Sequence, residues 1–212
     1  MTIDPTHQLT RLYYFLDPMC SWCWAFRPAL KMVESRLPPG ISLVRVLGGL
    51  APDTDVPMPE AIRQKLQDTW RRIQQSVPGT EFNFRYWDVC TPRRSTYRAC
   101  RAVIAAGQQG DYGPAMIEAI QAAYYLQARN PSDRSTLIEI AQAMEIDIEQ
   151  FACDLDHPDT QAELDQQIAL AKTFEVKGFP SLVLENSRGQ QFIDINPNDS
   201  EGILAAILLA SA

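Results

Sequence analysis

The chain has 212 residues, 46% of them hydrophobic and 21% charged, a balance that suits a folded chain with a substantial core. Against 26 acidic side chains stand 19 Lys and Arg, a formal charge of -7, and no Lys/Arg-rich run stands out. The electrostatic footprint of a nucleic-acid binder is missing, and anionic membranes are equally poor partners for such a charge.

Met1 to Gln8 has neither the basic nor the apolar stretch of a signal peptide, and no unbroken apolar run approaches a membrane span. The expectation is a cytoplasmic, unprocessed protein. Arg11–Leu16 is a short aromatic and apolar run that stops at Asp17-Pro18 and reads as a buried strand. From Ser21 to Leu37, Trp22, Phe26, Ala29, Leu30 and Val33 recur at helical spacing, with Pro28 inside predicting a kink and Pro38-Pro39-Gly40 closing the segment. The β-branched stretch Ile41–Leu47, ended by Gly48-Gly49, completes a βαβ unit with parallel strands. From about Pro59 to Phe174 the period is helical. Stripes occur at Ile62/Leu66/Trp70/Ile73, Tyr97/Cys100/Val103/Ile104, Tyr112/Met116/Ile120/Tyr124, Leu137/Ile140/Ala141/Met144 and Ile148/Phe151/Leu155. Pro158 suits the first turn of another helix carrying Leu164, Ile168 and Ala171. Leu182–Leu184 and Gln191–Ile195 read as a hairpin around Asn186-Ser187-Arg188-Gly189, and Asn198-Asp199-Ser200-Glu201 supplies caps for a final helix. The outline is βαβ, a helical block, then ββα, an α/β fold class.

Five cysteines are too few for a disulfide scaffold, and their odd number in a reducing compartment points to free thiols plus one redox pair. Cys20-Ser21-Trp22-Cys23 falls where the first strand gives way to a helix, so Cys20 should sit among unpaired backbone N–H groups that stabilise a thiolate. Such positions lower cysteine pKa values from about 8.5 to roughly 3.5–7.5. Two intervening residues let Cys23 reach back once Cys20 has formed a mixed disulfide, so Cys20 is the candidate nucleophile and Cys23 the resolving thiol. The competing reading is half of a zinc site. It needs further ligands, and Cys90, Cys100, Cys153 and His157 lack tight metal-ligand spacing.

Asp17-Pro18-Met19-Cys20-Ser21-Trp22-Cys23-Trp24, together with Val176-Lys177-Gly178-Phe179-Pro180-Ser181, resembles the DsbA-like branch of the thioredoxin superfamily. Within it the chain is most similar to FrnE-type and predicted protein-disulfide-isomerase members, which are related to 2-hydroxychromene-2-carboxylate isomerases. The resemblance implies a thioredoxin fold formed by residues 1–50 and 175–212, with a helical domain, 51–174, inserted and its last helix bridging back. It implies a thiol-disulfide oxidoreductase acting on protein or peptide disulfides, with no metal or organic cofactor and with glutathione among its candidate thiol partners. It also matches Pro28 to the proline of the active-site helix, and Pro180 to the cis-proline facing the thiols. A cis bond there turns the Phe179 main chain toward an extended substrate strand, and Trp22 and Phe179 would contact that substrate.

Departures from the pattern matter too. Many relatives have a buried carboxylate six residues before the first cysteine, where this chain has Tyr14. Asp17 is the alternative proton-transfer group, and an ordinary turn residue before Pro18 is the competing reading. Ser21-Trp22 lacks the histidine of the DsbA pair, which predicts a less oxidising couple. Cys100 reads as core, Cys90 and Cys153 have no assignable role, and His7 and His157 read as structural. Arg93, Arg94, Arg98 and Arg101 suggest an anion site or, more simply, a solvated helix face. Two other functions share this plan: a glutathione-dependent isomerase or kappa-type transferase, whose relatives usually carry Ser at the Cys20 position, and a peptide-binding holdase with vestigial thiols.

Overall fold

A computed structural model describes residues 10–211; His7 and the N-terminal segment around it lie outside the described residues. Four strands form one sheet in the order β2-β1-β3-β4: β1 Thr10–Leu16, β2 Ile41–Leu47, β3 Ser181–Asn186 and β4 Gly189–Ile193. The β1/β2 pair is parallel, with α1 (Ser21–Ser35) as its crossover, while β3 runs antiparallel to both β1 and β4.

The period-2 geometry of a strand explains why β1 is buried from Leu12 to Leu16, because both faces of the sheet are covered there. Leu12, Tyr14 and Leu16 join the core cluster that includes Phe26, Ala29 and Val33 of α1 and Ile203 and Ile207 of α9 (Ser200–Ser211). Tyr13 and Phe15 point the other way, into a smaller cluster with Val46, Val183, Ala171 and Phe174. Ala171 belongs to α8 (Pro158–Thr173), so the last helix before β3 packs back on the sheet.

Between β2 and α8 lie α2 (Glu60–Ser76), α3 (Tyr86–Val89), α4 (Tyr97–Gly107), α5 (Gly113–Tyr125), α6 (Arg134–Gln142) and α7 (Ile148–Asp154). The apolar stripes fall on these helices, but the turn α3 has too short a period to be visible in sequence. It delivers Tyr86 and Trp87 to an aromatic cluster around Trp70, which is 1% exposed. Phe82, Phe84, Tyr86, Trp87, Tyr124 and Tyr125 surround that indole with ring centroids 4.8–6.0 Å away.

Two expectations need correction. The last strand begins at Gly189 and ends at Ile193, because Asn186 pairs directly with Gly189 across a two-residue turn. Gly189 has φ 117°, a conformation that suits glycine and lets the chain reverse that tightly. The arginine cluster is not a solvated face. Arg101 is 6% exposed and binds Asp53, Gln161 and the Leu155 carbonyl; Arg93 pairs with Asp133, and Arg98 donates to the Ser132 carbonyl. Of the four, Arg94 alone is exposed.

Candidate functional site

The cysteine pair sits where β1 ends and α1 begins. Cys20 is the N-cap of α1 in extended conformation, and its carbonyl accepts the first helical bond, from Trp24 N–H at 3.0 Å. Cys20 thus leads into the first turn, whose unpaired amides favour negative charge at a helix start, although its side chain makes no capping bond to them. Cys23 follows on the first turn, with both thiols in the free state.

The turn before the pair is held from several directions. Asp17 O accepts from Cys20 N at 3.0 Å and Asp17 Oδ1 from Met19 N at 2.8 Å. The Tyr125 hydroxyl donates to Met19 O at 2.7 Å. Trp24 stacks on Tyr125 with centroids 5.5 Å apart and donates its indole N–H to Glu81 O at 3.0 Å. The aromatic cluster is thereby coupled to the turn that carries the cysteine pair.

Across from Cys20 lies the loop before β3, where the Phe179–Pro180 peptide is cis. The Cys20 thiol donates to the Phe179 carbonyl at 3.4 Å. Phe179 itself is half-buried, its ring seated on Gly48 so closely that a Cβ at Gly48 would lie 1.8 Å from a ring carbon. Trp22 is half-buried too, with the Arg72 guanidinium 5.8 Å from its ring centroid, whereas Trp24 and Phe26 are core. The Cys20 thiol and the Phe179 main chain thus meet beside cis-Pro180.

Asp17 behaves differently from the proton-transfer expectation. It is fully buried, and its side-chain bonds go elsewhere than Cys20 or Cys23: besides Met19 N, Oδ2 accepts from Leu50 N and the Thr96 hydroxyl at 2.7 Å each and from the Cys100 thiol at 3.7 Å. Burial raises its pKa, against which these donors work. The turn role anticipated for it is present, and the clasp onto Thr96 and Cys100 is additional; nothing local in the sequence signals it.

Tyr14 was the missed residue. Its hydroxyl interacts with the Cys23 sulfur, so the position that lacks the usual carboxylate still faces Cys23. Burial first, and then the neighbouring Cys20, push the Cys23 thiol well above its ordinary range; Tyr14 is pushed up by burial and by Cys23. The departure from the pattern at this position was the signal that could have found it.

The remaining cysteines stand apart from the pair. Cys90 is half-buried and donates to Ala128 O at 3.2 Å, Cys100 is core, and Cys153 is exposed. His157 caps α8, its Nδ1 accepting from Asp159 N at 3.2 Å. No three His, Cys, Asp or Glu side chains converge as a metal site among the described residues.

Comparison with known proteins adds three likenesses. The ClpXP adapter protein SpxH of Bacillus subtilis is 26% identical over 179 residues, 84% of this chain and 58% of that protein, so the chain spans about three fifths of such relatives. The cytosolic disulfide reductase DsbM of Pseudomonas aeruginosa is 26% identical with TM-score 0.77, covering 95% of this chain and 100% of that one, and its structure with GSH gives 0.72. A structure from Nitrosomonas europaea, 22% identical, shares the fold with TM-score 0.83 over 97% of this chain and 100% of its own. A family model described as Thioredoxin matches residues 13–203, nearly the whole described chain. With βαβ and ββα sharing one sheet around an inserted helical segment, the chain belongs to the thioredoxin family and has its DsbA-like form.

Proposed function

We propose that this protein is a thiol-disulfide oxidoreductase acting on protein or peptide disulfides, with Cys20 as nucleophile and Cys23 as resolving thiol. One observation carries the reading: the Cys20 sulfur stands at a helix N-terminus and against the Phe179 carbonyl, next to cis-Pro180, with Cys23 one turn behind. Exposure orders the roles, since Cys20 retains 7% and Cys23 only 1%, so an incoming disulfide meets Cys20 first. The Cys20 thiolate attacks one substrate sulfur, and the other leaves as thiolate with the electron pair of the broken bond. The Cys23 thiolate then attacks the Cys20 sulfur and displaces the substrate thiolate from the mixed disulfide, giving the Cys20–Cys23 disulfide and releasing the reduced substrate.

An extended peptide would pair with the Phe179 main chain, while Trp22, Phe179 and Pro180 give its side chains an apolar rim. Asp17, whose carboxylate bonds to neither sulfur of the pair, serves in this reading to hold the turn rather than to move the proton. The sheet and its packed helices, 1–50 with 175–212, form the catalytic domain and 51–174 the inserted one. A cytoplasmic setting is consistent with the cytosolic Pseudomonas likeness, which also supports glutathione as a partner thiol. No helix among the described residues is long and apolar enough to cross a membrane.

Turbidimetric insulin reduction with a dithiol as electron source tests the roles. Cys20→Ser should abolish it, and Cys23→Ser should accumulate mixed disulfides at Cys20, visible as adducts by mass spectrometry. Equal activity in both variants and the wild type would overturn the assignment. The SpxH likeness favours a second reading, a protein adapter in which partner binding survives replacement of both cysteines by alanine.

A further inference from the structure

The resolving step requires Cys23 to lose a proton, and the two obvious acceptors are unsuited. Asp17 directs its carboxylate to Met19, Leu50, Thr96 and Cys100. Tyr14, whose burial keeps it protonated at neutral pH, is a donor to the sulfur rather than a base. A third route is a crevice of about 40 Å³ between α1, β2 and α5, lined by Tyr14, Cys23 and Gln121. By the same measure a water needs about 10–15 Å³.

Gln121, on α5, is 2% exposed, and its Oε1 is buried with no hydrogen-bond partner among the described residues. An acceptor left so is unfavourable and calls for an occupant able to donate to it. At the crevice mouth two ion pairs meet solvent: Arg45 with Glu34 at 2.6 Å and Lys31 with Glu118 at 2.7 Å, their carboxylates 40% and 43% exposed. The charged or titratable groups facing the crevice are therefore Tyr14 from β1, Cys23, Arg27, Lys31 and Glu34 from α1, Arg45 from β2 and Glu118 from α5.

We propose that this crevice is the proton exit of Cys23, with Gln121 of the inserted helical segment as the positioning residue that orients a water to receive the thiol proton. The proposal rests on the Cys20/Cys23 reading above. As the Cys23 sulfur bonds to Cys20, the Cys20–substrate S–S bond breaks and the substrate sulfur leaves with its electron pair. The Cys23 proton passes to the crevice water and on to bulk solvent, and the departing thiolate takes a proton from solvent at the open face. Atoms and charge balance, and no external oxidant is needed. The accepting water is thus held from the inserted segment rather than by a group on β1.

Stopped-flow reaction of the reduced protein with dithiobis-nitrobenzoate, in a Cys90→Ser/Cys153→Ser background that removes the other accessible thiols, separates the steps, because the first thionitrobenzoate released reports Cys20 attack and the second reports Cys23 resolution. In Gln121→Leu the second phase should slow by about tenfold at neutral pH, on the scale of one lost hydrogen bond to a charged group, and should become steeply dependent on hydroxide. The first phase should stay unchanged and also certify the fold. Gln121→Glu should restore the second phase with the pH profile of a carboxylate acceptor, which a purely packing role would not produce. Should the leucine variant fail to fold, Gln121→Met keeps the length without a strong acceptor and is read the same way. A second phase with wild-type rate and pH profile in a folded Leu or Met variant would overturn the proposal. A second phase that persists in Cys23→Ser, or is missing from the wild type, would instead sink the underlying assignment.

Discussion

Gly48 and Asp17 set the site as much as the cysteines do, and each makes a distinct prediction. Adding a methyl at Gly48 drives a carbon to 1.8 Å from the Phe179 ring, which must swing off the strand end. Gly48→Ala is expected to cost about 1–3 kcal/mol, as overpacking does, and to raise KM for a peptide disulfide while Cys20 alkylation proceeds normally. Urea unfolding and steady-state kinetics read the two effects separately. At Asp17, an amide would face several donors with a donor of its own, so Asp17→Asn is expected to destabilise by about 1–3 kcal/mol at neutral pH. Burial raises the Asp17 pKa in the folded state, so the folded protein binds a proton where the unfolded chain does not. Wild-type stability relative to the variant should therefore rise as pH falls through the folded value toward about 3.9, then level off. A pH-independent difference would contradict this. Cys20 and Cys23 were legible because their chemistry is written within four consecutive residues. The clasp of Asp17 was not, because Thr96 and Cys100 lie 79 and 83 residues away.

At the scale of elements, periodicity located β1, α1, β2 and most of the helical stripes, since burial on a fixed face leaves a repeat that can be read. It failed where structure has no repeat: the four-residue α3, and the hairpin whose register was decided by Gly189 rather than by its apolar residues. The arginine run misled for a related reason. Helical spacing says which residues share a face but not what covers it, and here Asp53 and Gln161 arrive from other elements to cover Arg101. Arg101→Leu should remove the tie between the loop after β2, α4 and α8 at a cost of about 1.5–3 kcal/mol, the range for bonds to a charged group, taken without the full buried-pair penalty because Asp53 is 38% exposed. Chemical denaturation measures it. Unchanged stability would mean that the ion pair is incidental to the packing.

The whole molecule is built so that a small sheet presents the cysteine pair and a helical segment with a large aromatic cluster supports it. That cluster buries phenols: Tyr86, Tyr124 and Tyr125 are all raised by desolvation, as are Tyr14 and the thiols of Cys23 and Cys100. Each holds its proton in the folded state longer than in the unfolded chain, so unfolding releases protons at alkaline pH. Stability should be full below about pH 8.5 and fall as pH rises through the ordinary thiol and phenol values near 8.5 and 10. Urea midpoints of the reduced protein across that range give the test, and a flat profile would contradict it. The fold class was legible because βαβ and ββα flank a long helical stretch; the coupling of the aromatic cluster to Met19 and Trp24 was not, because it depends on contacts across the chain.

The most direct measurement is a redox titration of the protein in glutathione buffers, with each point quenched by alkylation and mapped by mass spectrometry. The expected result is a single two-electron transition that joins Cys20 to Cys23 and leaves Cys90, Cys100 and Cys153 alkylatable after denaturation, with a midpoint more reducing than the about -120 mV of DsbA. If no Cys20–Cys23 disulfide forms at any poise, or if the transition maps to another pair, the assignment of this site is wrong.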